Sequence, residues 1–80
     1  MMTNTNNEIT IEYGTVANER GADYGFLPVY WVNGCRYGST YAARGFDAET
    51  ALERARIDAL EEGARFVGDW SVSVTEKTGV

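Results

Sequence analysis

Residues 26–44, FLPVYWVNGCRYGSTYAAR, hold the stretch whose reading decides the fold. Phe26 to Val32 is apolar, aromatic and β-branched, the composition of a strand. Asn33-Gly34 follows. Both of its residues tolerate positive φ, which makes it the strongest short signal for a two-residue hairpin turn. The return strand is expected from Arg36 to Arg44. Tyr37, Ser39, Tyr41 and Ala43 fall on one of its faces, and Arg36, Gly38, Thr40, Ala42 and Arg44 on the other. Pro28 has no N–H to give to a ladder. It belongs at a strand start, a bulge or an outward edge.

Downstream, Gly45-Phe46-Asp47 ends the sheet segment and a helix is expected from Ala48 to about Glu62. Ala, Leu, Glu and Arg dominate it and all favour helix. Asp47 is a good N-cap, although Thr50 stands where a capping box would need Glu or Gln. Phe46 is placed to staple weakly onto Ala51, and Gly63 to serve as the residue just past the helix end. Ala48, Ala51, Leu52, Ala55 and Ala59 form one stripe at helical spacing. So small a face lets the helix sit close to a sheet. Beyond it, Trp70, Val72 and Val74 alternate with Ser71, Ser73 and Thr75 as a last strand.

Upstream, EITIEY alternates cleanly: Ile9, Ile11 and Tyr13 share one face, Glu8, Thr10 and Glu12 the wet one. Gly14 to Gly25 reads as a loop on its three glycines with Asn18 and Asp23, with Thr15 to Ala17 able to extend the strand. The expected architecture is α+β: an antiparallel sheet of about four strands with one helix packed on one face, in the order β-β-β-α-β. Residues 8–76 make a single domain between tails at 1–7 and 77–80.

The chain has 80 residues, enough for one domain with a marginal core. Twelve Asp and Glu against seven Lys and Arg leave a net charge of −5. That argues against direct binding to nucleic acid, which needs clustered cations to displace counterions. It permits docking onto a basic surface. The single cysteine, Cys35, rules out an internal disulfide and suits a reducing cytosol. No apolar run is long enough to span a membrane, and the polar start MMTNTNNEI lacks the basic and apolar segments of a signal peptide.

Residues for catalysis are scarce. The chain has no histidine, and so lacks the commonest general base and metal ligand. Cys35 has neither an activating base nor fellow zinc ligands. Glu8 with Glu12, and Glu61 with Glu62, read as wet-face carboxylates rather than an acid–base pair. Neither GxGxxG nor GxxxxGK occurs. No catalytic residue, cofactor or metal is expected.

Two surface features stand out. The outward side of the helix carries Glu49, Glu53, Asp58, Glu61 and Glu62 against Arg54 and Arg56. At 100° per residue, Ile57 points almost opposite the alanine stripe, so Glu53, Ile57 and Glu61 form an exposed row with an apolar centre and a charged rim. The aromatics also exceed what one alanine-faced helix covers. Tyr24, Tyr30, Tyr37 and Tyr41 are candidate hot-spot residues, with cross-strand packing as their ordinary alternative.

The compact acidic chain, the aromatic hairpin around VYWVNGCRYGSTY and the helix DAETALERARIDALEEG followed by a strand together resemble the small anti-CRISPR proteins of phages and mobile elements. The nearest likeness is to inhibitors of type I systems, including type I-C, and it covers about residues 8–76. The resemblance implies a non-enzymatic inhibitor in the cytoplasm of a bacterial host. It would bind a basic surface of the type I surveillance complex (Cascade) and block target DNA binding. Glu49, Glu53, Asp58, Glu61 and Glu62 would then stand in for DNA phosphates, with Ile57, Tyr30, Tyr37 and Tyr41 completing the contact. A protein partner, a monomer rather than a dimer, and no membrane follow as expectations. A second stretch, RGFDAETALERA from Arg44 to Ala55, is similar to the sheet-then-helix segment of HicB-like antitoxins. It implies the alternative of a module that neutralises a toxin enzyme.

Overall fold

The computed structural model describes residues 7–37, 46–66, 68 and 70–77. The chain runs β1 (Asn7–Asn18), β2 (Gly21–Val32), β3 (Cys35–Tyr37), α1 (Ala48–Gly63) and β4 (Trp70–Glu76). One four-stranded sheet has the order β3-β2-β1-β4, with the helix packed on it. The α+β class and the β-β-β-α-β order are as the sequence leads one to expect.

The sheet is mixed rather than wholly antiparallel. β1, β2 and β3 form an antiparallel meander, whereas β4 pairs parallel to β1, Ile9 beside Val72 and Ile11 beside Val74. The reason is the helical crossover. β3 runs in the direction of β1, the helix carries the chain back across one face, and the next strand must again run in that direction. β4 then takes the free side of β1.

Gly14 to Gly25 is not a loop. β1 continues to Asn18, Gly14 pairing with Val29, Thr15 with Pro28 and Ala17 with Phe26, and only Glu19 and Arg20 make the turn. The Asn18 side-chain carbonyl accepts from the Arg20 N–H at 3.0 Å, a local bond that reverses the chain in two residues. Asn7 also belongs to β1 rather than to a tail. The second hairpin is the one expected. Asn33 and Gly34 both have positive φ, 51° and 86°, and Val32 pairs with Cys35. Asn33 is tied to β1 as well: its N–H donates to the Thr10 carbonyl at 2.8 Å, and its Oδ1 accepts from the Thr10 N–H at 2.9 Å. Of the expected return strand, Arg36 and Tyr37 are seen; residues 38–45, Tyr41 among them, lie outside the described residues.

Pro28 occupies the outward side of β2. The Phe26 N–H and C=O exchange bonds with Phe46, away from β1. Two residues on, the Pro28 nitrogen faces the same way. Phe46 thus bridges Phe26 on the side of β2 away from β1.

The helix begins as the sequence indicates. Asp47 is the N-cap and its carboxylate accepts the Thr50 N–H at 2.7 Å, which holds the acid below the ordinary carboxylate range. Ala51, Ala55 and Ala59 have no exposed surface, while Ala48 is exposed and Leu52 half-buried. Ile9, Ile11 and Ala59 form the core cluster, with Tyr13, Tyr30, Val32, Phe66, Val72 and Val74 packed around it. Gly63 is not a left-handed cap. It is the last helical residue, and a Cβ there would lie 3.3 Å from Val72 Cγ1 and 3.5 Å from Val74 Cγ2. Glycine leaves this contact unstrained, because the helix end lies directly on β4. On the face away from the helix, Trp31 covers Gly14, and Lys77 Nζ stands 5.0 Å from the centre of its ring. Glu8, Thr10, Ser71, Ser73 and Thr75 line the rest of that face, all exposed.

Candidate functional site

The alanine stripe fixes which way each helical side chain points. With Ala51, Ala55 and Ala59 down, the crest carries Glu49, Glu53 and Glu61, all exposed. Ile57 departs from expectation: it is half-buried, flanked by Glu49, Thr50, Glu53 and Arg54 in a shallow groove. Asp58 and Glu62 are also partly covered, because they lean toward the β2–β3 side of the sheet. Residues 58 and 62 are neighbours one turn apart.

Guanidinium groups offset three of the five carboxylates. Arg56 donates to Glu53 through two nitrogens, at 3.1 and 2.6 Å. Arg54 lies 3.2 Å from Asp58, and Arg65 Nε 3.8 Å from Glu62. Among the described residues, Glu49 and Glu61 have no ion pair. The excess negative charge is therefore two, and it lies on the crest rather than spread evenly over the face. The protonation energetics follow the geometry. The Arg56 hydrogen bonds hold Glu53 below the ordinary carboxylate range. Partial burial pushes Asp58 up, and the Arg54 charge only partly opposes this.

Tyr30 and Tyr37, two of the four candidate tyrosines, join this acidic face. Tyr30 on β2 and Tyr37 on β3 are cross-strand partners, and their rings stack with centroids 5.6 Å apart and planes 16° from parallel. The Tyr30 hydroxyl donates to Glu62 Oε1 at 3.3 Å. Burial, and then the Glu62 charge, push the Tyr30 phenol above its ordinary value. Tyr37, outermost in the stack, is 50% exposed. Tyr24 lies away from this group, under the Arg20 guanidinium at the turn between β1 and β2. Tyr41 lies outside the described residues.

One continuous flank thus holds Tyr37, Tyr30, Glu62 and Asp58 and rises to Glu61 on the crest. Its chemistry is that of a recognition surface: a flat, half-buried aromatic pair with one open ring, and carboxylate acceptors beside it. It offers a cationic partner a stacking platform and salt-bridge acceptors together. Cys35, next to this edge, is free and exposed.

Neither Leu60 nor Trp70 was expected as a contact residue. They are 46% and 43% exposed, the largest apolar exposures among the described residues after Tyr37. Leu60 is one turn before Gly63, whose backbone lies on Val72 and Val74, so Leu60 sits on the β4 flank of the helix. The sequence did contain the signal. Leu60 falls 100° from Ala59 and outside the stripe, and Trp70 begins a strand whose position in the sheet was then unknown.

No protein-family model matches the chain, and neither a curated protein nor a solved structure is significantly similar to it.

Proposed function

We propose that this chain is a non-enzymatic inhibitor that docks through the Tyr30–Tyr37–Glu62 flank onto a cationic protein surface. On the resemblance to small anti-CRISPR proteins, that surface belongs to a type I CRISPR surveillance complex and its occlusion blocks target DNA binding. The observation that carries the reading is the Tyr30–Glu62 hydrogen bond. With the Tyr30–Tyr37 stack it unites the aromatic and acidic groups on one surface. Such a surface combines a ring hot spot with charges that steer association.

The carboxylates do not act as a bare row of phosphate surrogates in this reading. Three already have guanidinium partners at separations up to 3.8 Å. The Glu53–Arg56 pair is exposed on both partners, and exposed pairs are weak, so an incoming Arg or Lys competes for Glu53 at little cost. Glu49 and Glu61 supply the unpaired charge, and the open ring of Tyr37 supplies the contact area.

The test is association of the purified chain with a purified type I surveillance complex, read by calorimetry and by target DNA binding of the complex. Wild type binds, weakens as salt rises, and abolishes DNA binding. Tyr37→Ala combined with Glu61→Lys loses at least roughly tenfold in affinity, about 1.4 kcal/mol, while Glu8→Lys on the far face binds normally. Equal binding by the double variant would remove this surface from the proposal. A second reading, an antitoxin-like module, draws support from the Asp47-capped helix start within the stretch similar to HicB-like antitoxins. It predicts that the same double variant fails to neutralise a toxin enzyme, with no effect of the chain on the surveillance complex.

A further inference from the structure

β4 is an edge strand without the usual protection. Among the described residues it ends the sheet order and pairs only with β1. From Trp70 to Thr75 it carries no charge and no proline. Natural edges are normally blunted by such residues, by bulges or by brevity, because their unpaired N–H and C=O groups invite another strand.

The pattern of free groups specifies that strand. The Lys77 N–H donates to the Tyr13 carbonyl at 2.8 Å, so the odd-numbered residues of this strand turn their peptide groups toward β1. Alternation then turns those of Trp70, Val72, Val74 and Glu76 outward. We infer that the partner is a second copy of this chain, its β4 antiparallel to the first about a two-fold axis at Ser73. In that register Val72 lies opposite Val74 of the other copy and Trp70 opposite Glu76, so every outward group finds a mate. Side chains agree with this register. Valine meets valine on the helix-bearing face, and Ser71 meets Thr75 on the open face. No like charges stand opposite one another.

The product is a continuous sheet of twice four strands with both helices on one face. Backbone pairing alone is a thin interface, since stable ones bury about 1,200–2,000 Å². The rest comes from the apolar groups on this flank. Leu60 and Trp70 are exposed in the single copy, with the Phe66 ring 5.7 Å from that of Trp70. The net charge of −5 per copy opposes association, but the charge-free span of β4 keeps the repulsion at long range, where salt screens it. Salt therefore strengthens this contact, whereas it weakens docking of the acidic flank. The tyrosine flank lies on the opposite side of the sheet and stays open in the dimer.

Sedimentation equilibrium and light scattering of the full chain decide the matter. Wild type is a dimer whose dissociation constant falls as salt rises from about 0.05 to 0.5 M. Ser73→Lys and Ser73→Glu each put like charges across the axis on an exposed position. Each weakens dimerisation at least roughly tenfold, with circular dichroism unchanged. An equimolar mixture of the two restores the dimer, a result that only this register gives. Hydrogen exchange supplies the check that needs no variant: the Val72 and Val74 amides slow as wild-type concentration rises. A monomeric wild type at about 0.1 mM, or a dimer indifferent to Ser73→Lys, would overturn the inference. So would protection of those two amides only when the surveillance complex is added, which would assign the edge to a strand of that complex.

Discussion

Along its β3 side the described part of the sheet ends in Cys35–Tyr37, which bears Arg36, with Pro28 and the Phe26–Phe46 bridge on the adjoining part of β2. Along its β4 side it ends in seven residues of alternating valine and hydroxyl side chains. The first flank is also the charged one, where the Tyr30–Tyr37 stack meets Glu62 and Asp58. The second is the apolar one, where Leu60 and Trp70 stand open. The same helix serves both, because its alanine face lies centrally over β1 and β2 and leaves one side chain row to each flank. The difference teaches that a small α+β domain with a single helix leaves its two edges chemically unlike, one polar and charged, the other apolar and uncharged.

The largest perturbation ignores the distinction. Ile11 is fully buried beneath the helix and neighbours both flanks. Ile11→Ala is expected to cost about 2–5 kcal/mol, and denaturant unfolding should show it as a lower midpoint with loss of both contacts together. A variant that lost only one of them would mean the flanks do not share a core.

Gly63→Val sharpens the comparison by striking chiefly the β4 side, with Ile11 next in reach. The added methyls enter the space of Val72 and Val74, an overpacking expected to cost about 1–3 kcal/mol. The β4 amides should exchange faster while the Tyr30–Tyr37 near-ultraviolet signal persists. Gly63→Ala sets the smaller effect of a 3.3 Å contact against a gain of about 1 kcal/mol in helix propensity, so it should come out close to neutral.

Tyr30→Phe strikes the other flank. It removes one part-buried hydrogen bond, worth about 0.5–1.5 kcal/mol, and leaves dimerisation unchanged. The same contact predicts a pH effect. The Tyr30 phenol is raised above its ordinary value, so its contribution to stability is complete below that value and is lost as pH rises through the raised one. Spectrophotometric titration of Glu62→Gln should bring one tyrosine back toward the ordinary range. If no tyrosine moves, the Tyr30–Glu62 contact is not made in solution.

The smallest expected effect is at acid pH. Asp47 and Glu53 are both held low, Asp47 by the Thr50 N–H and Glu53 by Arg56. Their stabilisation is complete above the ordinary carboxylate range and disappears as pH falls through the lowered values. Asp58, raised by burial, works in the opposite sense and favours the fold when protonated. Helical circular dichroism should therefore decline at low pH in wild type and decline less in Asp47→Asn.

Much of this was readable residue by residue. The Asn33-Gly34 hairpin, the Asp47 cap and the alanine stripe each depend on neighbours within a few positions, and local conformational preference decides them. The extension of β1 through Thr15 to Ala17 was only half visible, because three glycines mask a strand whose pairing partner is its own hairpin mate. Ile57 was misjudged as fully open, since helical phase alone does not report what flanks a crest position. The likeness of the aromatic and acidic features was plain in the sequence, but their union through Tyr30 and Glu62 spans 32 positions and depends on which side of the helix faces β2.

The amino-acid order by itself determined the class of fold, the capped start of the helix and the burial of Ala51, Ala55 and Ala59, since periodicity and capping act over a turn or two. Tertiary structure alone decided that β4 joins parallel at the edge, that Gly63 is a packing residue, and that rings and carboxylates share one flank. Those outcomes depend on where the crossover sets down the last strand, and contacts between residues far apart in the chain leave no periodic trace along it.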